Sequence, residues 1–247
     1  MNVICLVPSI TETLLACGVN VVGRTRFCLY PKKQVANIAT VGGTKDINWQ
    51  RCEKLKPDLV IFDREENRKE MADSCPFDWI DLHICSLQDI SKELLRLATI
   101  LNNGALKDIA SRWQVVNNTN TNIALENIPG MIEWWNKPST QNNFVYLIWW
   151  DPWMAIGEDT FIQAMLDKVG LQSSRLRFDD KYPTVDLKTF DRDDTVLLFS
   201  SEPFPFARQK AELAKLGYAC GLIDGEHYSW YGIRSLKFLE SLNNPIA

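Results

Sequence analysis

Val3-Ile-Cys-Leu-Val-Pro-Ser-Ile-Thr-Glu-Thr-Leu-Leu-Ala-Cys-Gly18 opens the chain with two different apolar patterns in succession. Val3 to Val7 is an unbroken, β-prone apolar run, as a parallel strand covered on both faces requires. Pro8 ends it. The spacing of Ser9 and Glu12 then predicts a capping box, in which these two side chains satisfy free backbone N–H groups at a helix start. Ile10, Leu14, Leu15 and Cys17 give that helix one apolar side, and Gly18 is placed to stop it in a left-handed cap. A strand that feeds a helix directly is the unit from which α/β folds are built.

Working outward, the same alternation continues. Val21-Val22-Gly23 begins a second strand, and a loop is expected through Tyr30-Pro31 and Val41-Gly42-Gly43. A helix follows around Asn48 to Leu55, ended by Pro57, and Leu59 to Phe62 is the next strand. Ile80, Leu82 and Ile84 alternate as another. Leu87, Ile90, Leu94, Leu97, Ala98 and Leu101 then share one helical face, with Ser86 as the expected cap. More helix is expected from Ala105 to Val116, then a loop or frayed end over the Asn/Thr-rich stretch Asn117 to Asn122, and a break at Pro129-Gly130. This middle region shows no good strand candidate and reads as a helical connector, with Trp134 and Trp135 as packing residues.

A second α/β set begins at Val145 to Trp150. It continues with a helix from about Thr160 to Val169 stopped by Gly170, a strand over Thr195 to Phe199, and a helix from Ala207 to Leu216 stopped by Gly217. A strand over Ala219 to Ile223 and a final helix through Ile233, Leu236, Leu239 and Leu242 complete it. The two sets echo each other: Lys56 to Asp63 matches Arg192 to Phe199 in pattern, and acids follow each strand (Glu65 and Glu66, then Glu202). The reading is therefore an α/β, bilobal chain, with an N-terminal lobe over 1–85, a helical connector over 86–142 and a C-terminal lobe over 143–247.

Composition narrows the function. A formal charge of −4 without a dense Lys/Arg block gives no basic face for a phosphate backbone, so no nucleic-acid partner is expected. No apolar run approaches the ~18 residues of a membrane span. The N-terminus lacks a basic region and a cleavage site. Seven cysteines, an odd number without CxxC or zinc spacing, read as buried thiols of a reducing compartment. The cytoplasm is the expected location; the alternative is a periplasmic protein whose export signal has been trimmed.

Enzyme readings find little support. The two histidines, His83 and His227, are too few for a bare-ion receptor, and His83 reads as a strand histidine. No GxSxG elbow, P-loop or GxGxxG is present. No catalytic residues, no metal ligands and no intrinsic cofactor are expected. Aromatic residues are more informative. Trp149, Trp150 and Trp153 surround Asp151-Pro152 after one strand, and Tyr228, Trp230 and Tyr231 lie in the stretch from His227 to Arg234 after another. Ligands of open α/β sheets collect at the carboxyl ends of strands, and indole rings in such loops form either core or a flat ligand wall. Pro8 and Ser9 belong with them, at a helix start that offers N–H groups.

Leu6 to Leu15, Val22 to Thr25, Val41 to Lys45 and Lys56 to Val60 resemble the vitamin B12-binding and iron-siderophore-binding substrate proteins of ABC importers, the TroA-like group of periplasmic binding proteins. Leu147 to Met154, Gly157 to Phe161, Ser201 to Phe206 and Asp224 to Arg234 extend the resemblance in order over nearly the whole chain. The resemblance implies a class III clamshell of two parallel-sheet lobes joined by one long helix, with a metal chelate in the cleft. It implies ligand contacts from Pro8, Ser9, Tyr30, Lys45, Asp46, Trp150, Trp153, His227, Trp230, Tyr231 and Arg234. It also implies that Glu65, Glu66 and Glu202 face an ABC permease. The expected function is binding of a corrinoid, cobalamin-like chelate. Alternatives are a siderophore or haem, which Arg24, Arg26 and Arg234 would favour as anionic ligands, and a small enzyme of chelate metabolism using a pair such as Asp151 and His227.

Overall fold

The opening apolar run becomes the central strand of a parallel sheet. The computed structural model describes residues 1–117 and 123–243. The chain divides into two units, Met1–Val116 with Trp230–Glu240 and Asn117–Ser229 with Ser241–Ala247. Of the stretch read as a loop or frayed end, residues 118–122 lie outside the described residues.

The first unit runs β1 (Val3–Cys5), α1 (Pro8–Ala16), β2 (Val21–Thr25), α2 (Lys32–Val35), β3 (Ala39–Gly42), α3 (Trp49–Lys54), β4 (Leu59–Asp63), α4 (Lys69–Asp73), β5 (Trp79–Leu82), α5 (Leu87–Ile100) and α6 (Gly104–Asn117). Its sheet has the order β3-β2-β1-β4-β5, with every pairing parallel. β1 and β4 are buried along their whole length, which is why they are contiguous apolar runs in the sequence. Ile4, Leu6, Val41, Cys52, Val60, Phe62 and Met71 form a core beneath one face.

The second unit holds β6 (Met131–Asn136), β7 (Asn143–Trp149), β8 (Met154–Ala155), α7 (Phe161–Lys168), β9 (Thr195–Ser200), α8 (Lys210–Leu213), β10 (Ala219–Ile223) and α9 (Gly225–Ser229). Its order is β6-β10-β9-β7-β8. The three inner strands are parallel and the two edges antiparallel. Alternate residues of the inner strands (Val145 and Leu147, Leu197 and Phe199, Cys220 and Leu222) meet Phe206, Leu213 and Tyr218 in its core. The last helix, α10 (Ile233–Asn243), follows the return of the chain to the first unit at Trp230.

Several expectations are corrected. α1 has no capping box: Val7 is the N-cap, no side chain caps it, and Pro8 stands in the first turn. A proline there has no N–H to satisfy and a φ already suited to the helix. The loop expected between β2 and α3 contains α2 and β3; β3 is an edge strand with one buried residue, Val41, so it carries no alternation to read. The segment 86–142 is not a strandless connector, nor one long helix. It holds two helices, α5 and α6, in the first unit and the strand β6 in the second. β6 pairs on one side with β10, and none of its residues is fully buried, so its sequence lacks a strand signature. The helix expected over Ala207 to Leu216 is a short α-turn flanked by 3-10 segments, ended by Gly217 at φ +82°.

Other local readings hold: Ser86 caps α5, and Gly18 turns with φ +72°. The structure adds a reciprocal partner for Ser86 in Asp89 and side-chain caps from Asn48 at α3 and Thr160 at α7. None of the seven cysteines is in a disulfide. Among the described residues no helix is long and apolar enough to cross a membrane.

Candidate functional site

In the first unit the loops that leave the carboxyl edge of the sheet are tied down by charge and by buried polar groups. Asp63 ends β4, and its Oδ1 accepts the N–H groups of Glu65 (2.8 Å) and Glu66 (3.1 Å). Asn67 closes the turn: its Oδ1 accepts the Asp63 N–H, and its Nδ2 donates to the carbonyls of Leu6 and Thr44. Burial pushes the Asp63 carboxyl up from its ordinary value, against the pull of these N–H groups. Glu66 is half-buried and is likewise raised, first by burial and then by the Asp63 carboxylate. Neither Asp63 nor Asn67 was singled out from sequence; the signal available was an acid four residues before an asparagine at a strand end.

Tyr231 lies in the interior of this unit, 6% exposed, and burial followed by the nearby Asp63 raises its phenol well above the usual range. Trp230 is also buried and meets Tyr30 edge-on at 5.7 Å. Arg234 lies 4.2 Å from the Tyr30 ring centre and 5.0 Å from that of Trp230. Its guanidinium donates to both Glu12 oxygens, at 2.9 and 2.8 Å. Arg234 therefore ties α10 to α1, and a second tie comes from Thr13, whose hydroxyl accepts the Ile233 N–H. Gly232 makes that approach possible: its φ is +109°, and a Cβ there would stand 2.2 Å from Thr13 Oγ1.

Pro8 is half-buried and Ser9 buried at the start of α1. Asp46 is exposed but engaged by Arg26 through both oxygens, at 3.1 and 2.6 Å. Lys45 donates to the Glu65 carbonyl at 3.2 Å. Arg24 spends its guanidinium on the carbonyls of Val35 and Thr25. A cavity of about 380 Å³ lies nearby, with Phe62, Arg64, Arg68, Trp79 and Asp81 in its lining.

In the second unit the aromatic residues form one continuous structure. Trp150 stacks on Trp153 at 5.0 Å and 15°, and Trp153 stacks on the buried Phe206 at 6.2 Å and 5°. Phe204 joins Trp150 (6.0 Å), Trp149 (5.5 Å) and Phe206 (4.7 Å). The column thus runs from the core, through Trp153, to a half-buried Trp150 and an exposed Trp149. Phe204 and Phe206 were not among the expected ligand residues, although Pro203-Phe-Pro-Phe206 is a dense aromatic signal after a strand. Trp135 stacks on Phe199 at 5.4 Å, which is the packing role expected of it.

The stretch from His227 to Arg234 is divided between the units. His227 stays in the second, with its Nδ1 3.4 Å from the Asp224 carboxylate, while Trp230 to Arg234 belong to the first. Tyr228 is fully buried and donates to the Pro129 carbonyl. Glu202 is half-buried and accepts the Ser229 hydroxyl at 2.5 Å. α9 packs closely over β9 because Gly225 has no side chain; a Cβ there would lie 2.2 Å from Ser200 Oγ.

Residues 3–77 match the family model described as periplasmic binding protein. No individually curated sequence matches the chain. Among solved structures, the periplasmic vitamin B12 binding protein of Vibrio cholerae is 18% identical with a TM-score of 0.68, over 98% of this chain and 94% of that one. S. aureus IsdE complexed with haem is 13% identical with a TM-score of 0.71, over 98% and 96%. An ABC transporter substrate-binding protein from Listeria monocytogenes is 11% identical with a TM-score of 0.70, again over 98% and 96%. The fold is that of the class III periplasmic binding proteins, in agreement with the resemblance carried by the motifs.

Proposed function

We propose that the chain is a non-catalytic substrate-binding protein for a large, flat metal chelate of the corrinoid class. It would serve an ABC-type permease, or be a relative that stores or hands over such a chelate. The observation that carries this reading is the column Phe206–Trp153–Trp150. A half-exposed indole backed by two parallel rings is a rigid apolar face, suited to the face of a macrocycle. Solved neighbours that include a vitamin B12 binding protein and a protein complexed with haem support the ligand class.

The test is a fluorescence titration of the chromophore-free chain with cyanocobalamin. Stoichiometric quenching of tryptophan emission is expected, and Trp150→Ala should weaken binding by about tenfold or more, roughly 1.4 kcal/mol. If cobalamin, haemin and a ferric siderophore all fail to bind, the reading falls.

A haem or a ferric siderophore is the second reading, and His227 favours it. The Asp224 carboxylate lies 3.4 Å from Nδ1 of His227, and an acid on that side of an imidazole favours metal binding through the other nitrogen. Against an anionic chelate, the three arginines invoked for it are engaged: Arg26 with Asp46, Arg234 with Glu12, and Arg24 with two carbonyls. If His227→Ala leaves the metal's visible spectrum unchanged, coordination by His227 is wrong. An enzyme using Asp151 and His227 is disfavoured because the acid beside His227 is Asp224 and Asp151 is exposed.

Of the three acids Glu65, Glu66 and Glu202, Glu65 is exposed and the other two half-buried, and Glu65 of the first unit and Glu202 of the second are the carboxylates we assign to a permease. For location, seven cysteines without a disulfide favour a reducing compartment, whereas the Vibrio neighbour is described as periplasmic. Fractionation of cells expressing the native gene product distinguishes the two.

A further inference from the structure

Glu65, His83 and Cys85 are brought together by the register of two neighbouring strands. β4 and β5 run parallel with Asp63 opposite Leu82, so the loops that follow them leave the same edge of the sheet side by side. Glu65 follows the end of β4 by two residues, and His83 and Cys85 follow β5. His83 and Cys85 flank the buried Ile84, and their side chains meet on the same side. Their potential ligand atoms form a nearly equilateral triangle. Cys85 Sγ lies 3.3 Å from His83 Nε2 and 3.7 Å from Glu65 Oε1, and His83 Nε2 lies 3.7 Å from the same Glu65 oxygen.

We propose that these three side chains form a binding site for a zinc-type divalent cation, separate from the chelate site proposed above and sharing Glu65 with the permease contact, so that a bound ion and a docked permease would compete for that carboxylate. A tetrahedral Zn²⁺ with its usual bonds to sulfur, nitrogen and oxygen holds those ligand atoms roughly 3.4–3.6 Å from one another. The triangle is already within a few tenths of an ångström of one face of that tetrahedron. A thiolate, an imidazole and a carboxylate together select a borderline cation over Mg²⁺ or Ca²⁺, which take oxygen ligands. On binding, the Cys85 thiol loses its proton to solvent and the S–metal bond forms, with no change of oxidation state. The fourth position is left for water or for a ligand from outside the triangle.

The backbone around the three residues is fixed without the ion. The Glu65 N–H is held by Asp63 and its carbonyl by Lys45. The Arg64 N–H is held by the Leu82 carbonyl, which locks one loop to the other. The N–H groups of Cys85 and Ser86 both donate to the Asp89 carboxylate of the α5 capping box, at 3.3 and 2.9 Å. Little rearrangement is then needed for capture.

The probe is Co²⁺ alone, added to the reduced, metal-stripped full chain, so the outcome does not depend on whether a chelate binds. One equivalent should bind with near-ultraviolet thiolate-to-cobalt charge transfer and tetrahedral visible bands, and Zn²⁺ should displace it. Cys85→Ser should abolish the charge-transfer band. His83→Gln and Glu65→Gln should each weaken binding by about tenfold or more, while Cys75→Ser leaves it unchanged. In the unmutated chain, Zn²⁺ should protect Cys85 from alkylation, which needs no variant to fold. The proposal is overturned by a charge-transfer band that survives Cys85→Ser, by affinity that either His83→Gln or Glu65→Gln leaves intact, or by alkylation of Cys85 that Zn²⁺ does not slow.

Discussion

Arg234, a ligand candidate by resemblance, has a structural role that its motif does not display. Its charge engages Glu12 and its flat face Tyr30 and Trp230. With side chains 21% and 15% exposed, the pair is partly desolvated, so loss of one partner leaves an uncompensated charge. Arg234→Ala should lower stability by about 2 kcal/mol, read from denaturant midpoints. Arg234→Lys should recover less than half of it, because an ammonium cannot grip both oxygens. An unchanged midpoint in the alanine variant would show that the pair contributes nothing. The cysteines divide on the same physical grounds. Burial pushes the Cys5 thiol up to about 12 and those of Cys17, Cys52 and Cys220 to about 11, and it raises Cys28 as well. Only the thiolate reacts. Native-state iodoacetamide treatment followed by peptide mass mapping should therefore label the half-buried Cys85 first, ahead of Cys75, which is also half-buried but whose thiol is raised by burial. Labelling of Cys5 or Cys28 at a comparable rate would contradict the packing described.

At the scale of elements, legibility followed burial. β1, β4, β9 and β10 are buried throughout, so each appears in the sequence as an apolar run with no competing pattern. β3, β6 and β8 are edge strands that pair with one neighbouring strand and leave side chains half in water, and none of them was readable; β5, also at an edge, was read because Ile80 and Leu82 keep the alternation. The Ser9–Glu12 spacing misled because the helix already starts at Pro8, which puts Ser9 inside the first turn and not at the cap. What fixes the start of β7 against β9 is equally invisible in an apolar pattern. The Asp194 carboxylate accepts the Asn142 N–H and the side-chain amides of Asn142 and Asn143, at 3.2, 3.0 and 2.5 Å. These hydrogen bonds, that from the Asn142 side chain first, hold its carboxyl below the ordinary value. A group depressed in the folded state stabilises it above its unfolded pKa of about 3.9, and that contribution is lost as pH falls through the lower folded value. The stability difference between the native chain and Asp194→Asn, followed by thermal unfolding, should be largest at neutral pH and shrink below about pH 4. A difference that grows in acid would reverse the assignment.

Across the whole molecule, each unit has its own sheet, parallel throughout in the first and parallel in its three inner strands in the second, and each places its functional candidates near the ends of strands. Sequence reading picked out Trp150 and Trp153 as candidates because rings crowded after one strand are conspicuous in a linear pattern. It did not find Glu65, His83 and Cys85 as a group, because their proximity depends on which strands pair and in what register, and neither is written in any local stretch. The aromatic column offers the sharpest separation of fold from function, because one structure contains both a packing end and a binding end. Phe206 is fully buried and touches Phe199, Trp153 and Phe204, so Phe206→Ala should cost about 3–5 kcal/mol by leaving a cavity. Trp150 is half-buried and has a ring neighbour on one side in Trp153 and an edge contact in Phe204. Trp150→Ala should then cost less, about 1–2 kcal/mol of stability by the area it hides, while removing most chelate binding. Denaturant unfolding and cobalamin titration of the two variants check this together. If Trp150→Ala unfolds the chain as readily as Phe206→Ala and its folded fraction binds normally, the column is core from end to end, and the ligand face must be sought elsewhere.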